Sequence, residues 1–407
     1  MTVANVAVKS IDGSVSAPAE FRSAGVACGI KKTAALDLAL IVSDTPASAA
    51  AVFTTNKAQA APVLVSRARL RASAGRARVI AINSGCANAC TGPEGLGTAE
   101  AMADAAARAA GVPPAEVLIA STGVIGVTLD RDRVLSGIAA GSTALSRDGG
   151  PAAARAIMTT DPFPKESAVE LTTPFGTFRV GGIAKGSGMI EPLMATMLGV
   201  VTTDAAVEPA LLQRALTAVT DVTFNAITVD GECSTNDCVF ALANGASGVT
   251  LGEPHFDLLV EALRLVCEPL AIGIVRGGEG ATKLVTVEVT GARTAVEAKR
   301  AARAIANSPL VKTAVHGADP NWGRLVAVAG RAGVDFELDR AKVRIGDVEL
   351  FAGGRPFDER AAEASEHLQG RDVLLQVDLG TGASGAARMW TCDLSADYVK
   401  INAEYRT

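Results

Sequence analysis

Histidine is close to missing from this chain: His255, His316 and His367 are the whole supply among 407 residues. The seven cysteines are an odd number with no Cys-x-x-Cys pair, although Cys86–Cys90 and Cys233–Cys238 are near neighbours. A Cys/His metal site therefore has little support, and a disulfide framework is not expected; buried free thiols are. Aromatic residues make up only 4%, and the 49% hydrophobic content is mostly Ala, Val, Leu and Ile. Such side chains suit closely packed α/β layers better than a surface of aromatic anchors. No apolar run reaches the roughly 18 residues of a membrane helix, because Glu191 interrupts the most hydrophobic stretch. No basic block accompanies the net charge of −5, so nucleic acid is not an expected partner. The opening residues, MTVANVAVKSIDGS, lack a charged region followed by an apolar one. No secretory signal is expected there, and a cytoplasmic location is the default.

What is present is a succession of short β-branched or aliphatic runs. Strands are expected at Leu38–Val42, Ala77–Ile82, Val117–Ala120, Val169–Thr173, Phe178–Ile183, Ile227–Val229, Leu284–Val289, Leu325–Val328, Val343–Ile345, Val373–Val377 and Ala386–Thr391. Pro174-Phe175-Gly176 reads as a hairpin turn. Helical periods fall at Thr98–Ala110 with Thr98 as N-cap, at Asp130–Ala140 behind a capping Asp, at Glu208–Val219, at Phe256–Leu270 and at Thr294–Ile305. No strict βαβ repeat emerges. The expected class is α/β in layers, with helices packed on mixed or antiparallel sheets.

The chemistry concentrates in KGSGMIEPLMATMLG, Lys185 to Gly199. Thr196 follows Ala195 inside an apolar run, where most threonines bond a nearby carbonyl and sit in a core. A threonine hydroxyl is a poor nucleophile unless a base stands beside it. Cutting the Ala195–Thr196 bond would supply one, because Thr196 would then carry a free α-amine. Its pKa of about 7.7–8.0, against about 10.4 for lysine, leaves a usable neutral fraction near pH 7. The pieces would be residues 1–195 and 196–407. Neither is bounded by linker-like composition, so the cut would fall inside a fold that both build.

Three other segments are chemically suggestive. Ser121-Thr122-Gly123-Val124-Ile125-Gly126 follows a strand; a backbone N–H beside glycine and the Thr122 hydroxyl suit an oxyanion hole, while an ordinary βα turn reads the same way. Arg276-Gly277-Gly278-Glu279-Gly280-Ala281-Thr282-Lys283 crowds Glu279 among small residues, where a carboxylate can bind an ammonium or simply be solvated. It is not a phosphate loop, because GxxxxGK[ST] is absent. The polar cluster Asn225 to Asp237 reads as structural support, since Asx and Ser/Thr side chains satisfy nearby backbone.

Together these segments resemble the glutamate N-acetyltransferase / ornithine acetyltransferase family of arginine biosynthesis. The resemblance runs through FRSAGVACGIKK from Phe21, VFTTNKAQAAPV from Val52, INSGCANACTG from Ile82, STGVIG from Ser121, MTTD from Met158, AKGSGMIEPLMATMLG from Ala184, ITVDGECSTND from Ile227, RGGEGATK from Arg276, HGADPNWGR from His316 and the terminal INAEYRT. Ten segments in order span nearly the whole chain. Departures are Cys86, where the family's pattern leads one to expect an asparagine or a similar residue, and Cys233, where a small polar residue is expected.

The resemblance implies self-cleavage between Ala195 and Thr196, with Thr196 then carrying the acetyl group. Thr122 and Gly123 match the oxyanion pair. Thr159, Lys185, Glu279, Asn402 and Thr407 match substrate-contacting positions; within MTTD, Thr159 is preferred to Thr160. The implied reaction moves acetyl from N-acetylornithine to glutamate in two steps, on a heterotetramer of two α and two β fragments. It needs no metal or dissociable cofactor, and no single motif decides whether acetyl-coenzyme A is also a donor. A self-processing aminopeptidase or amidase on a similar fold is the rival: it would use the same threonine and pass the acyl group to water.

Overall fold

The computed structural model describes residues 6–191 and 197–404. Ala195, Thr196 and Thr407 lie outside the described residues. The backbone forms two compact units. The first takes the chain up to Asn225 and again over Glu232–Ile274; the second takes Ala226–Gly231 and the chain from Val275 onward.

The first unit holds strands β1 (Ala7–Ser10), β2 (Phe21–Val26), β3 (Leu38–Ser43), β4 (Ser48–Phe53), β5 (Val79–Cys86), β6 (Val117–Val124), β7 (Lys165–Thr173), β8 (Gly176–Lys185), β9 (Leu198–Thr203), β10 (Ala206–Val207), β11 (Cys238–Ala243) and β12 (Thr250–Leu251). Its helices are α1 (Ala61–Ala72), α2 (Gly92–Ala110), α3 (Arg131–Thr143), α4 (Gly150–Ala156), α5 (Pro209–Val222) and most of α6 (Phe256–Arg276). One large sheet runs β2-β3-β5-β6 and the other β1-β7-β8-β9-β11-β4, while β10 and β12 form a small parallel pair. Side chains alternate faces along a strand, and β3 shows the consequence. Leu38, Leu40 and Val42 join a core with Met102, Ala103 and Ala106 of α2 and with Val134 and Ile138 of α3. Ala39 and Ile41 join another with Ile183, Leu198, Val200 and Phe240 of the six-stranded sheet. Both faces of β3 are thus dry, which is why Leu38–Val42, LALIV, is an unbroken apolar run before Ser43. On the outer face of the six-stranded sheet, Gly182 of β8 makes room for Val266 and Leu270 of α6; a Cβ there would stand 2.9 Å from Val266 Cγ1. Helix, sheet, sheet and helix are stacked in that order.

The second unit is a six-stranded sheet in the order β16 (Arg355–Pro356), β15 (Val348–Ala352), β14 (Lys342–Ile345), β17 (Asp372–Asp378), β13 (Leu284–Ala292), β18 (Gly385–Cys392). Helices α7 (Ala295–Ala306), α8 (Pro309–His316), α9 (Trp322–Gly330) and α10 (Ala361–Leu368) share its core, and α11 (Ala396–Glu404) follows β18. Buried Lys312 of α8 ties the Ala226–Gly231 segment in, donating to the carbonyls of Val229 and Cys392 and to Thr391 Oγ1.

The layered α/β class is as expected. Pairing is mixed: β5–β6, β9–β11 and β13–β17 are parallel, and β7–β8 is an antiparallel hairpin closed at Thr173 and Gly176. Leu325–Val328 is not a strand but lies in α9, where Leu325, Val328 and Ala329 bury one face at helical spacing. A short apolar run between glycines does not distinguish the two periods. Ile227–Val229 makes only an isolated bridge, Ile227 to Trp390, after a 3-10 turn at Phe224–Ala226. Helix α2 starts at Gly92, six residues before Thr98, with Pro93 in its first turn. Helix α6 continues past Pro269 to Arg276. Asp130 and Thr294 cap as expected, accepting from the backbone N–H of Arg133 and Glu297. Among the described residues, no helix is long and apolar enough to cross a membrane.

Candidate active site

Thr122 and Gly123 stand at the end of β6, where it runs parallel to β5 with Ser84 opposite Thr122 and Gly85 opposite Gly123. The register slips at Gly85/Cys86. Gly123 has φ +127°, and a Cβ on it would lie 2.4 Å from the Gly85 carbonyl carbon and 2.6 Å from Cys86 N. No other residue fits this backbone without parting the strands. Buried side chains hold the strand end from below. Ser121 Oγ donates to Asn83 Oδ1 at 2.5 Å, and Asn83 Nδ2 donates to the Cys86 carbonyl at 2.9 Å. Asn236 Nδ2 donates to the carbonyls of Ala87 and Ser121 at 2.6 and 2.9 Å. The polar cluster before β11 is therefore a brace for the Thr122 turn, the supporting role its composition suggested.

Lys185 closes β8, and its Nζ donates to Thr122 Oγ1 at 3.1 Å. The hydroxyl accepts that bond and keeps its own proton to donate, so the lysine polarises the very O–H suited to a developing oxyanion. Thr159 is drawn to the same neighbourhood through Asp161: the Thr159 N–H donates to Asp161 Oδ2 at 2.9 Å, and the Gly186 N–H donates to Asp161 Oδ1 at 2.7 Å. Lys165 Nζ pairs with Asp161 Oδ1 and donates to the Gly186 carbonyl at 3.0 Å. Burial pushes the Asp161 carboxyl up, but Lys185, Lys165 and the Thr159 N–H outweigh it and hold the group at about 2. Burial lowers Lys165, against the pull of Asp161. Burial also lowers Lys31, whose ammonium feels Asp37, Asp161 and Lys185 and whose side chain packs over Gly85.

Thr122, Gly123, Thr159 and Lys185 are thus gathered in the first unit. Glu279 and Asn402 are gathered in the second. Glu279 is buried rather than solvated, and its Oε2 accepts from Asn402 Nδ2 at 2.9 Å. Asn402 belongs to α11 rather than a frayed end, and it also donates to the Tyr398 carbonyl. Around Glu279 the glycine-rich turn is pinned. Gly280 has φ +68°, with Tyr398 N 2.5 Å from where its Cβ would be. Ser395 Oγ donates to the Gly280 carbonyl, and Asp393 accepts from Thr282 and Lys283 N–H groups, Thr282 Oγ1 and His316 Nδ1. Burial pushes Asp393 up, and these donors bring it below the usual carboxylate range.

Asp161, Lys165 and Asp393 are not singled out from sequence, and Asn236 only as one member of the polar cluster Asn225 to Asp237. For Lys165 a signal existed. The Pro174-Phe175-Gly176 turn fixes the β7–β8 register, and counting back from Thr173 opposite Gly176 sets Lys165 opposite Ala184, beside Lys185.

A profile of the ArgJ family matches residues 22–407. The arginine biosynthesis bifunctional protein ArgJ of a Synechococcus strain is 50% identical over 411 aligned positions, covering 98% of this chain and 99% of that protein. Its counterpart in Symbiobacterium thermophilum is 49% identical, covering 97% and 99%. A crystal structure of argJ from Bacillus halodurans is 42% identical with a TM-score of 0.48, covering 50% of this chain and 97% of that one.

Proposed function

This chain belongs to the ArgJ family, and from that premise we propose that it moves the acetyl group of N-acetylornithine to glutamate through an acetyl-threonine at Thr196. It is an arginine-biosynthesis enzyme. The observation that carries the residue-level reading is the Lys185 Nζ bond to the Thr122 hydroxyl beside Gly123. It sets a polarised donor beside a half-buried backbone turn, and Lys185 itself begins the segment that leads to the proposed nucleophile.

In the first stage the Thr196 hydroxyl attacks the Ala195 carbonyl carbon. The peptide C–N bond breaks, an ester forms, and water cleaves the ester to leave a free Thr196 α-amine. Pairing across the cut favours fragments that stay together: β8 and β9 lie antiparallel with Lys185 opposite Leu198, and β11 lies antiparallel to β4 with Cys238 opposite Phe53. In the second stage the α-amine takes the Thr196 hydroxyl proton as the oxygen attacks the acetyl carbonyl. Thr122 and Gly123 hold the oxyanion, and the proton passes to the departing α-nitrogen of ornithine. Glutamate's α-amine then attacks the acetyl ester, N-acetylglutamate leaves, and the Thr196 hydroxyl regains its proton. Lys185, with Thr159, is assigned to a substrate carboxylate, and Glu279, braced by Asn402, to an ammonium. Thr407 is a further proposed contact outside the described residues. The reading calls for no metal or resident cofactor. The relatives are named bifunctional, and acetyl-coenzyme A loading the same threonine would give a second activity without a new site. Two copies of each fragment and a cytoplasmic location complete the proposal.

Incubation with N-acetylornithine, with and without glutamate, tests it. Ornithine release that depends on glutamate, with N-acetylglutamate formed in equal amount, is the expected result. Equal release in both arms would make the protein an amidase instead.

A further inference from the structure

Resting on the acetyl-transfer reading, we propose that Lys165 is a positioning residue: by neutralising Asp161 it leaves the Lys185 ammonium uncompensated for the substrate carboxylate. The Lys165 and Asp161 side chains are 2% and 0% exposed. Both partners grip Gly186, the residue after Lys185: Asp161 accepts its N–H, and Lys165 donates to its carbonyl. The Phe163 ring centroid, 5.1 Å from Lys165 Nζ, further fixes that ammonium.

A buried carboxylate takes the nearest cation as its counter-ion. Asp161 has Lys165 and Lys185 within electrostatic reach. Lys165 makes the ion pair, while Lys185 turns to Thr122 Oγ1. Lys31 and Asp37 also lie near this point, and Asp37 is engaged by the N–H groups of Cys28 and Lys31. Lys185 Nζ is hydrogen bonded to the neutral Thr122 hydroxyl, and it shares its pull on Asp161 with Lys165, which takes the direct ion pair. Both proposed substrates carry an α-carboxylate, and a cation already spent on Asp161 would bind it weakly. The family resemblance implies a substrate role for Lys185, and on this proposal the Asp161–Lys165 pair keeps its charge available.

The test compares wild type, Lys165→Gln, Lys165→Met and the double variant Asp161→Asn/Lys165→Gln in steady-state acetyl exchange. Gln keeps a donor for Asp161 and the Gly186 carbonyl but drops the charge. Met fills the same space and serves if the Gln variant does not fold. Removing the charge should let Asp161 draw Lys185 away, raising KM for N-acetylornithine about tenfold or more with a smaller change in kcat. The double variant should show a lower KM than Lys165→Gln, although it has lost more native hydrogen bonds; a purely structural role makes it higher. A KM within about threefold of wild type in the single variants, or a double variant no better than Lys165→Gln, overturns the proposal. Wild-type protein that exchanges no acetyl group overturns the acetyl-transfer reading beneath it instead.

Discussion

A Thr196→Ala protein should run as one uncut chain under denaturing conditions and transfer no acetyl group. Both effects have one cause. In the proposed mechanism the hydroxyl that opens the Ala195–Thr196 bond is also the oxygen that carries acetyl, and the base that activates it is the amine exposed by the cut. Alanine at 196 removes the first and thereby never uncovers the second. Wild-type protein should show two fragments divided before Thr196, held together until denatured because two strand pairs of one sheet, β8–β9 and β4–β11, join residues on opposite sides of the cut. Denaturing mass measurement reads both proteins directly. A Thr196→Ala chain that is cut and active would place the nucleophile elsewhere.

Replacing Thr122 by alanine should lower kcat about 100-fold or more, the cost of losing one oxyanion donor, or about 2.7–4 kcal/mol of barrier. The fold should survive. Thr122 is partly exposed at a strand end, and its backbone stays in register with Ser84. Its partner Gly123 offers no comparable test, because a Cβ there collides with the Gly85 carbonyl carbon. The Lys185 bond sharpens the expectation. With the hydroxyl gone, Lys185 Nζ loses its acceptor at 3.1 Å, so KM should move as well, though less than kcat. A Thr122→Ala enzyme within about threefold of wild-type kcat would mean that the hydroxyl does not face the developing charge.

Much of this was legible in the residues. A strand followed by Thr122-Gly123 announces a tight backbone approach, and the parallel β5–β6 pair supplies the reason for glycine. Lys185 and Glu279 were visible as charges set among small residues, and Glu279 is buried and braced as such a setting allows. The Asp161–Lys165 pair was not singled out because neither residue sits in a suggestive spacing. Only the hairpin register brings Lys165 beside Lys185, and only the fold sets Asp161 under Gly186. Leu325–Val328 failed for a different reason. Four apolar residues carry too few repeats to show a period, and the burial of Leu325, Val328 and Ala329 was decided by the sheet they cover. The division into units at Asn225 and Ile274 left no trace in composition, since neither point is a linker.

Acetyl carried by a newly made amino end is the step that distinguishes this mechanism from every other. Wild-type enzyme incubated with N-acetylornithine and no glutamate, then denatured, digested and weighed, should yield a peptide beginning Thr-Met-Leu-Gly that is one acetyl group heavier, and adding glutamate should remove the excess. An exchanging enzyme whose Thr196 peptide never gains that mass, or begins at another residue, would contradict it.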